Sequence, residues 1–548
     1  MDLQLTIPDL FLRAVAAHPL DSALWTWHPT ENRFTAKTWQ ALAHEVAQGM
    51  GALDALGIQR GEHIAQISEN RAEWIVLDLA CHFAGVVHVP LHASLSGSQL
   101  IKQITLTNAR HVFFSTAEQW QKIKTAEAEQ PASLIFIAYE RIADSMVRYW
   151  PDLLPTTSPL LQPRSVTPET IATIMVTSGT TGDSKGVMLT QRNLSSNAQA
   201  AMDMYGAAPQ ELKLNVLPLS HAYARTCDLY LWLARGSQLA LAESRETLLR
   251  DLQAIRPTSM NGVPYLYERL WRAVCEKKLE NAPGSLRNLL GGNMRTCHAG
   301  GAPLSPALLE FFAAQQVPLL EGYGLTETSP ILSISTREKV RPGSCGPLLP
   351  GVEVQIANDG EVLTRGPQVM LGYYRDEQAT AQAIQNGWFH TGDLGELDAD
   401  NFLYIRGRKK ELIVLATGKK VVPSVVENAF VNDPLIAQIV VLGEGRNFLA
   451  ALIVPHINAL QSLAASHQIT FSSLGEILNH AEIVSYYEAH IREKLITFSH
   501  HEQVRKVKLL PQPFSVERGE LTLKLSYCRP VIARSYSAAI EALYGRDA

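Results

Sequence analysis

No two of the six cysteines, at positions 81, 227, 275, 297, 345 and 528, are spaced as Cys-x-x-Cys. That scatter argues against a disulfide framework or a cysteine-bound metal and fits reduced thiols in a cytoplasmic protein. No charge of one sign predominates: 48 Lys and Arg face 53 Asp and Glu, a net charge of -5, so no global field recruits nucleic acid or an anionic membrane. The longest apolar stretch, around Trp74 to Leu91, is broken by Asp78, His82, Gly85, His88 and Pro90, which predicts a helix followed by a strand rather than a membrane span. The opening MDLQLTIPDLFLRAVAAHP lacks a basic leader and carries Asp9 and Arg13 within its apolar face, so an amphipathic helix is expected in place of a secretion signal. Internal repeats and low-complexity tracts are absent as well.

What is present is an alternation of strand and helix patterns. With 46% hydrophobic residues in 548 positions the chain can bury large cores, and its length suggests roughly three to four folding units. Trp39, Leu42, Val46, Met50, Leu53 and Leu56 recur at steps of three and four, predicting a helix over 38–56 stopped by Gly57. HIAQIS (63–68), a helix containing Trp74 to Phe83, and VVHVPL (86–91) follow in the order of a sheet covered by helices. A helix around Pro306 to Gln315 leads into a strand that ends in a turn at Gly322-Tyr323-Gly324. Past Gly343 the strands become short and separated by Gly, Pro and Asn, a small β-rich subdomain to about residue 405. The cations of RGRKK (406–410) crowd one turn without interleaved aromatics, a poor nucleic-acid footprint, and mark a junction before the strand ELIVLATG and a helix opened by Pro423.

The richest segment is IATIMVTSGTTGDSKGVMLTQRN (171–193). Its β-branched run Ile171 to Val176 ends in Thr177-Ser178-Gly179-Thr180-Thr181-Gly182, where glycines admit close approach, four hydroxyls offer donors and Lys185 adds a cation. A P-loop is excluded because Gly186, not Ser or Thr, follows the lysine. A dinucleotide fingerprint fails too, since Glu327 stands where Gly322-x-Gly324 requires a third glycine. The bland alternative is a surface loop between a strand and a helix.

Together with that loop, LPLSHAYAR (217–225), GYGLTET (322–328), GWFHTGDLG (387–395) and GRKKELIVLATGKKVVP (407–423) appear in order, and with these motifs the chain resembles the adenylate-forming superfamily, closest to long-chain fatty acyl-CoA synthetases. The resemblance covers nearly the whole chain. It implies an α/β fold: a large N-terminal adenylation domain (1–409) of two doubly wound sheets plus a β-barrel subdomain (about 343–405), and a mobile α+β lid (410–548) hinged near Lys410. The implied chemistry joins a fatty acid to ATP, releasing pyrophosphate, and then passes the acyl group to coenzyme A.

Site roles follow from the same resemblance. Thr177, Ser178, Gly179, Thr180, Thr181, Gly182 and Lys185 hold the β- and γ-phosphates, Thr326 meets the α-phosphate, and Glu327 supports Mg²⁺, an oxygen ligand suited to a hard cation. Tyr323 lies against adenine between Gly322 and Gly324, Gly300 and Gly301 line that pocket, and Asp393 with Arg408 grips the ribose hydroxyls. His221 sits near the substrate carboxylate. Taken singly, Asp393 reads equally as a turn former, Tyr323 and His221 as core residues, and Lys410 as a solvated lysine.

One departure stands out in the lid. Long-chain synthetases usually carry Glu-x-Gly-x-Leu-Thr-Pro-Thr-x-Lys, whereas this chain reads Glu517-Arg518-Gly519-Glu520-Leu521-Thr522-Leu523-Lys524. Without a gap the lysine's place falls to Ser526; a two-residue deletion gives it to Lys524, the reading preferred here. Alternatives to the coenzyme A ligase are a carrier-protein synthetase or acyl-adenylate ligase and, from another class, a catalytically weakened regulatory protein that binds nucleotide or acyl groups. A cytoplasmic protein is expected; fatty substrates partition into bilayers, so peripheral membrane contact is an alternative, although no basic amphipathic anchor stands out.

Overall fold

Short aliphatic runs that end in polar residues build two largely parallel sheets, and their ends converge on one region. The computed structural model describes every residue except 127–132, 158–159, 179–183, 207, 303, 432, 516, 522–526 and 546–548, and leaves out the side chain of Ser178. In the first sheet the spatial order is Gly372–Tyr373, Ser184–Thr190, Ile171–Ser178, Val87–Leu91, His63–Ile67, His111–Phe114, Ile135–Ala138 and Val147–Tyr149. Pairing is parallel from Ile171–Ser178 onward and antiparallel across the first two edges. Ala65, Ile67, Val87, Val89, Val112 and Phe114 are buried, as expected where helices cover both faces.

The second sheet runs Ile331–Ile334, Leu319–Gly324, Thr296–Ala299, Ser259–Gly262, Leu212–Asn215, Gln238–Leu241, Ser22–His28 and Arg33–Thr38, antiparallel only at its two ends. The expected helix is found as Trp39–Ala55; Thr38 caps it by accepting from the Ala41 amide, and Gly57 takes φ of +72° just beyond its end. Trp39 stacks on Trp232 at 4.7 Å, joining that helix to the segment after His221. Full burial of such side chains contributes about 1.5–3 kcal/mol each.

A third, antiparallel sheet holds Glu353–Ile356, Glu361–Arg365, Ile384–Gln385, Trp388–Leu397 and Leu403–Arg408. It ends three residues beyond the boundary read from sequence, and those residues carry Arg408 into register with Asp393. Beyond it, Ile436–Leu442, Leu449–Pro455 and Val504–Leu509 form a three-stranded sheet packed by helices Ile457–Ser466 and Ala481–Lys494, with a core of its own that includes Val426, Ile453, Leu460, Tyr487 and Ile491.

Three local expectations are corrected. Thr177 and Ser178 do not turn: they stay in the strand Ile171–Ser178 and pair with Lys185 and Ser184 of the strand Ser184–Thr190. Gly322 and Tyr323 likewise stay in a strand, because Ile334 and Ser333 pair with them from the far side. ELIVLATG contributes only Ile413–Val414, bridged to Lys420–Val421, since a 3₁₀ turn at Lys409–Glu411 precedes it and Gly418 turns the chain back at φ of +75°.

Candidate active site

Asp393 lies in the long strand Trp388–Leu397 and is 3% exposed. The Tyr323 hydroxyl donates to its Oδ2 at 2.5 Å, Arg408 Nε lies 2.8 Å from Oδ1, and the Asp393 amide donates to Thr391 Oγ1 at 3.0 Å. Burial raises the Asp393 carboxyl above its ordinary value, while Arg408 and the Tyr323 hydroxyl pull it down. A carboxylate set between a phenol and a guanidinium is a strong acceptor for a diol.

A second cluster forms around Tyr373, on the edge strand opposite Val187. Lys185 Nζ stands 4.8 Å from the Tyr373 ring centre, and the Tyr373 hydroxyl donates to Glu327 Oε1 at 3.0 Å. Burial first, then Glu327, pushes the Tyr373 phenol up, so it stays protonated and donates. Thr326 and Glu327 occupy the 3₁₀ turn Thr326–Thr328, which is closed by Leu325 N to Pro330 O at 3.0 Å and Thr328 Oγ1 to Pro330 O at 2.6 Å. Thr177, opposite Lys185, donates to its carbonyl at 3.5 Å. Gly179, Thr180, Thr181 and Gly182 lie outside the described residues.

Gly300 and Gly301 follow the strand Thr296–Ala299, and a Cβ at Gly300 would sit 3.3 Å from the Tyr223 ring. His221 precedes a short helix, Ala222–Ala224, and its ring lies 5.5 Å from that of His92. Lys410 is in the turn Lys409–Glu411; its neighbour Lys409 bridges Asp359 (2.6 Å) and Glu361 (2.8 Å), and Glu361 accepts from the Gly392 amide at 3.0 Å. Lys524 and Ser526 lie outside the described residues; the segment that holds them is bounded by a bridge between Leu521 and Tyr527. The structure thus brings together Tyr323, Asp393 and Arg408 in one group and Lys185 and Glu327 in another.

Three site residues were missed from the sequence. Tyr373 sits in LGYYRD, which carries no motif; Tyr223 reads as an ordinary helix aromatic. Glu321 had a signal, an acid at the end of an apolar strand: it lies beside the Leu304 amide (3.4 Å), and burial pushes its carboxyl up to about 7.

Residues 11–374 match the AMP-binding enzyme family, and residues 410–548 match the AMP-binding enzyme C-terminal domain. The chain belongs to the AMP-binding enzymes. Among relatives of this AMP-binding enzyme, the long-chain-fatty-acid–CoA ligase FadD15 of Mycobacterium bovis is 31% identical over 567 aligned residues, covering 94% of this chain and 93% of that protein. Fatty acyl-CoA synthetase A of Dictyostelium discoideum is 29% identical, covering 90% and 83%. A crystal structure of the anthranilate CoA ligase AuaEII with anthranoyl-AMP superposes with a TM-score of 0.82 at 20% identity, covering 99% of each chain, a likeness of fold.

Proposed function

We propose that this AMP-binding enzyme is an ATP-dependent fatty acid–coenzyme A ligase acting on long-chain acids. The observation that carries the reading is the grouping of Tyr323 with Asp393 and Arg408, and of Lys185 with Tyr373 and Glu327, whose charge reaches Asp393, in a chain aligned almost end to end with fatty acid–CoA ligases. The first group suits a nucleoside; the second suits a polyphosphate.

In this mechanism a carboxylate oxygen attacks the α-phosphorus of ATP, the bond to the bridging oxygen breaks, and pyrophosphate leaves. The coenzyme A thiol then attacks the acyl carbon, loses its proton, and AMP departs. Both reactants of the first step are anions, so cations and donors must offset repulsion and stabilise the leaving group. Lys185 and the segment from Thr177 to Gly182 hold the departing phosphates, Thr326 donates toward the α-phosphate, and His221 orients the carboxylate. Tyr323 flanks the adenine with Gly300 and Gly301, and Asp393 with Arg408 takes the ribose diol.

The donor set fits Mg²⁺ held largely by the nucleotide. Among the described residues no three His, Cys, Asp or Glu side chains converge on a metal position, and Glu327 is the carboxylate that would hold a Mg²⁺ ion brought with the nucleotide. Bound there, the ion neutralises triphosphate charge. Lys410 is the hinge about which the lid turns between half-reactions, and Lys524 supplies the lid's cation to the carboxylate during adenylation. Among the described residues no helix is long and apolar enough to cross a membrane.

The deciding experiment measures pyrophosphate release with ATP, Mg²⁺ and fatty acids of graded length, with and without coenzyme A. Acid-dependent release, with acyl-CoA formed only when coenzyme A is present and rates highest for long chains, is expected. Absence of acid-dependent release overturns the reading; release without acyl-CoA assigns the acyl group to another acceptor.

A further inference from the structure

Four residues after His221 the chain enters a π-helical segment, Arg225–Tyr230, and the Arg225 side chain is 1% exposed. Such segments are rare and recur at functional sites. Three residues of this one reach four other elements, among them the strand that carries Thr177 and the segment beside the Thr326–Thr328 turn. Arg225 Nη1 donates to Thr173 Oγ1 at 2.6 Å, in the strand Ile171–Ser178. Thr226 Oγ1 donates to the Ser329 carbonyl at 2.6 Å, just past the Thr326–Thr328 turn. Asp228 accepts from Asn215 Nδ2 at 2.7 Å and Asn261 Nδ2 at 2.6 Å, on two strands of the second sheet.

The arginine is held from behind by the helix Ala72–Ala84, which carries Asp78, and by the first-sheet strand Val87–Leu91, which carries His88. Its Nη2 pairs with the Asp78 carboxylate and donates to His88 Nδ1 at 2.8 Å, while Asp78 also accepts from the Tyr230 hydroxyl at 3.1 Å. Thr173 completes the circuit by donating to the His88 carbonyl at 2.6 Å. At the other end the Arg225 amide donates to the His221 carbonyl at 2.9 Å. One residue therefore joins the turn of His221, through its backbone amide, to the strand four residues ahead of Thr177, through its side chain.

Burying an ion pair of this kind is weak evidence for stability, because well-packed apolar side chains of equal volume serve as well. Its planar fork is another matter: a guanidinium reaches Asp78 and Thr173 at once in a fixed geometry, and an ammonium does not. We propose that Arg225 is a positioning residue that sets the strand carrying Thr177, paired with Lys185, and the His221 turn in one register for adenylation. This inference rests on the reading of the site as an acyl-adenylating one. Thioester formation, in which pyrophosphate has already left, does not need that register.

The test uses the full chain and the variants Arg225→Lys, Thr173→Val and Thr173→Ser. The measurements are acid-dependent pyrophosphate release, KM for ATP, thioester formation from supplied acyl-adenylate, and a thermal melt. Arg225→Lys and Thr173→Val are expected to lower the adenylation rate about 10- to 100-fold, the size of effect that an ångström-scale misplacement produces, with thioester formation near wild type. Thr173→Ser, which keeps the hydroxyl, is expected to restore adenylation. A purely structural role predicts lower melting temperatures with both half-reactions falling together, and that result overturns the proposal, as does Thr173→Ser failing like Thr173→Val. Should Arg225→Lys not fold, the Thr173 pair decides alone. No acid-dependent pyrophosphate from the wild type itself removes the underlying reading, a failure distinct from a wild-type signal that the variants leave unchanged.

Discussion

The Tyr323 hydroxyl donates to Asp393 Oδ2 at 2.5 Å while Arg408 Nε lies 2.8 Å from Oδ1, so both carboxylate oxygens are engaged by groups from different strands. A ribose diol must share those oxygens, which makes the charge on Asp393 the feature that counts. Asp393→Asn keeps the shape and is expected to raise KM for ATP about 10- to 100-fold, equivalent to about 1.4–2.8 kcal/mol, because a charged acceptor is lost and Arg408 is left facing an amide. With a 2′,3′-dideoxy nucleotide the gap between variant and wild type should close. An unchanged KM for ATP would remove Asp393 from nucleotide binding.

Tyr373 serves two partners with two different parts, ring to Lys185 and hydroxyl to Glu327. Tyr373→Phe keeps the ring and should weaken ATP use by about 10- to 100-fold, the worth of a hydrogen bond to a charged acceptor, with a higher Mg²⁺ requirement because Glu327 loses the donor that orients it. Tyr373→Leu loses the cation–π contact as well, about 0.5–1 kcal/mol more, and should be worse in KM for ATP. Titrating both variants with Mg²⁺ at fixed ATP checks this; identical behaviour of Phe and Leu would show that the ring does nothing for Lys185.

The alternation of aliphatic strands with helices was legible because it depends on local periodicity, and the helix after Thr38 was readable to within a residue at each end. The residue types proposed for the nucleotide side answer the needs of phosphate and diol chemistry, and the structure brings Tyr323, Asp393 and Arg408 together. Harder to read was anything set by pairing between distant strands. Tyr323 looks like a turn residue until Ser333 is known to lie beside it, and the contact between Arg408 and Asp393, implied only by resemblance, depends on the register of their two strands. Tyr373 was invisible for the same reason: its value comes from an edge position against Val187, 186 residues earlier, and no spacing within LGYYRD encodes it.

Gly324 is required by space rather than by backbone freedom. A Cβ there would fall 1.7 Å from the Pro330 carbonyl oxygen, the atom that accepts from Leu325 N and Thr328 Oγ1 and so holds the Thr326–Thr328 turn. Gly324→Ala should move that turn and lower acid-dependent pyrophosphate release by about 100-fold. Gly301, with φ of +85° and open space around its missing Cβ, should behave differently. Gly301→Ala is expected to cost about 1–2 kcal/mol of stability through its left-handed backbone, with much less effect on rate. Parallel melts and rate assays separate the two; Gly324→Ala at wild-type rate would show that the turn tolerates displacement.

Glu321 gives the site a pH signature. Burial raises its carboxyl from 4.5 to about 7 in the folded chain. The folded state therefore keeps a proton that the unfolded chain releases between those values, and this group's contribution makes stability fall as pH rises from 4.5 to about 7, then level off. Glu321→Gln removes the titration while leaving an oxygen for the Leu304 amide. Relative to wild type, the variant should gain stability at pH 8 and show little difference at pH 4.5, in melts without nucleotide. A difference that is the same at both pH values would mean that Glu321 ionises normally.

The lid loop decides how far the adenylation rate can rise. Its flanks are firmly set: Arg518 lies 2.7 Å from the buried Glu520, and the Cys528 amide donates to the Glu520 carbonyl at 2.8 Å. Lys524 and Ser526 themselves lie outside the described residues, and on the two-residue deletion preferred from the sequence Lys524 is the group proposed to meet the carboxylate. Lys524→Ala is expected to lower acid-dependent pyrophosphate release by about 10²- to 10³-fold, as removal of a charge-stabilising donor does elsewhere. Thioester formation from supplied acyl-adenylate should change far less, because the lid has turned by then. Ser526→Ala should be silent in both assays. Equal loss in the two half-reactions for Lys524→Ala, or none in either, would take the role from Lys524; a large adenylation defect in Ser526→Ala instead would show that the loop aligns without a deletion.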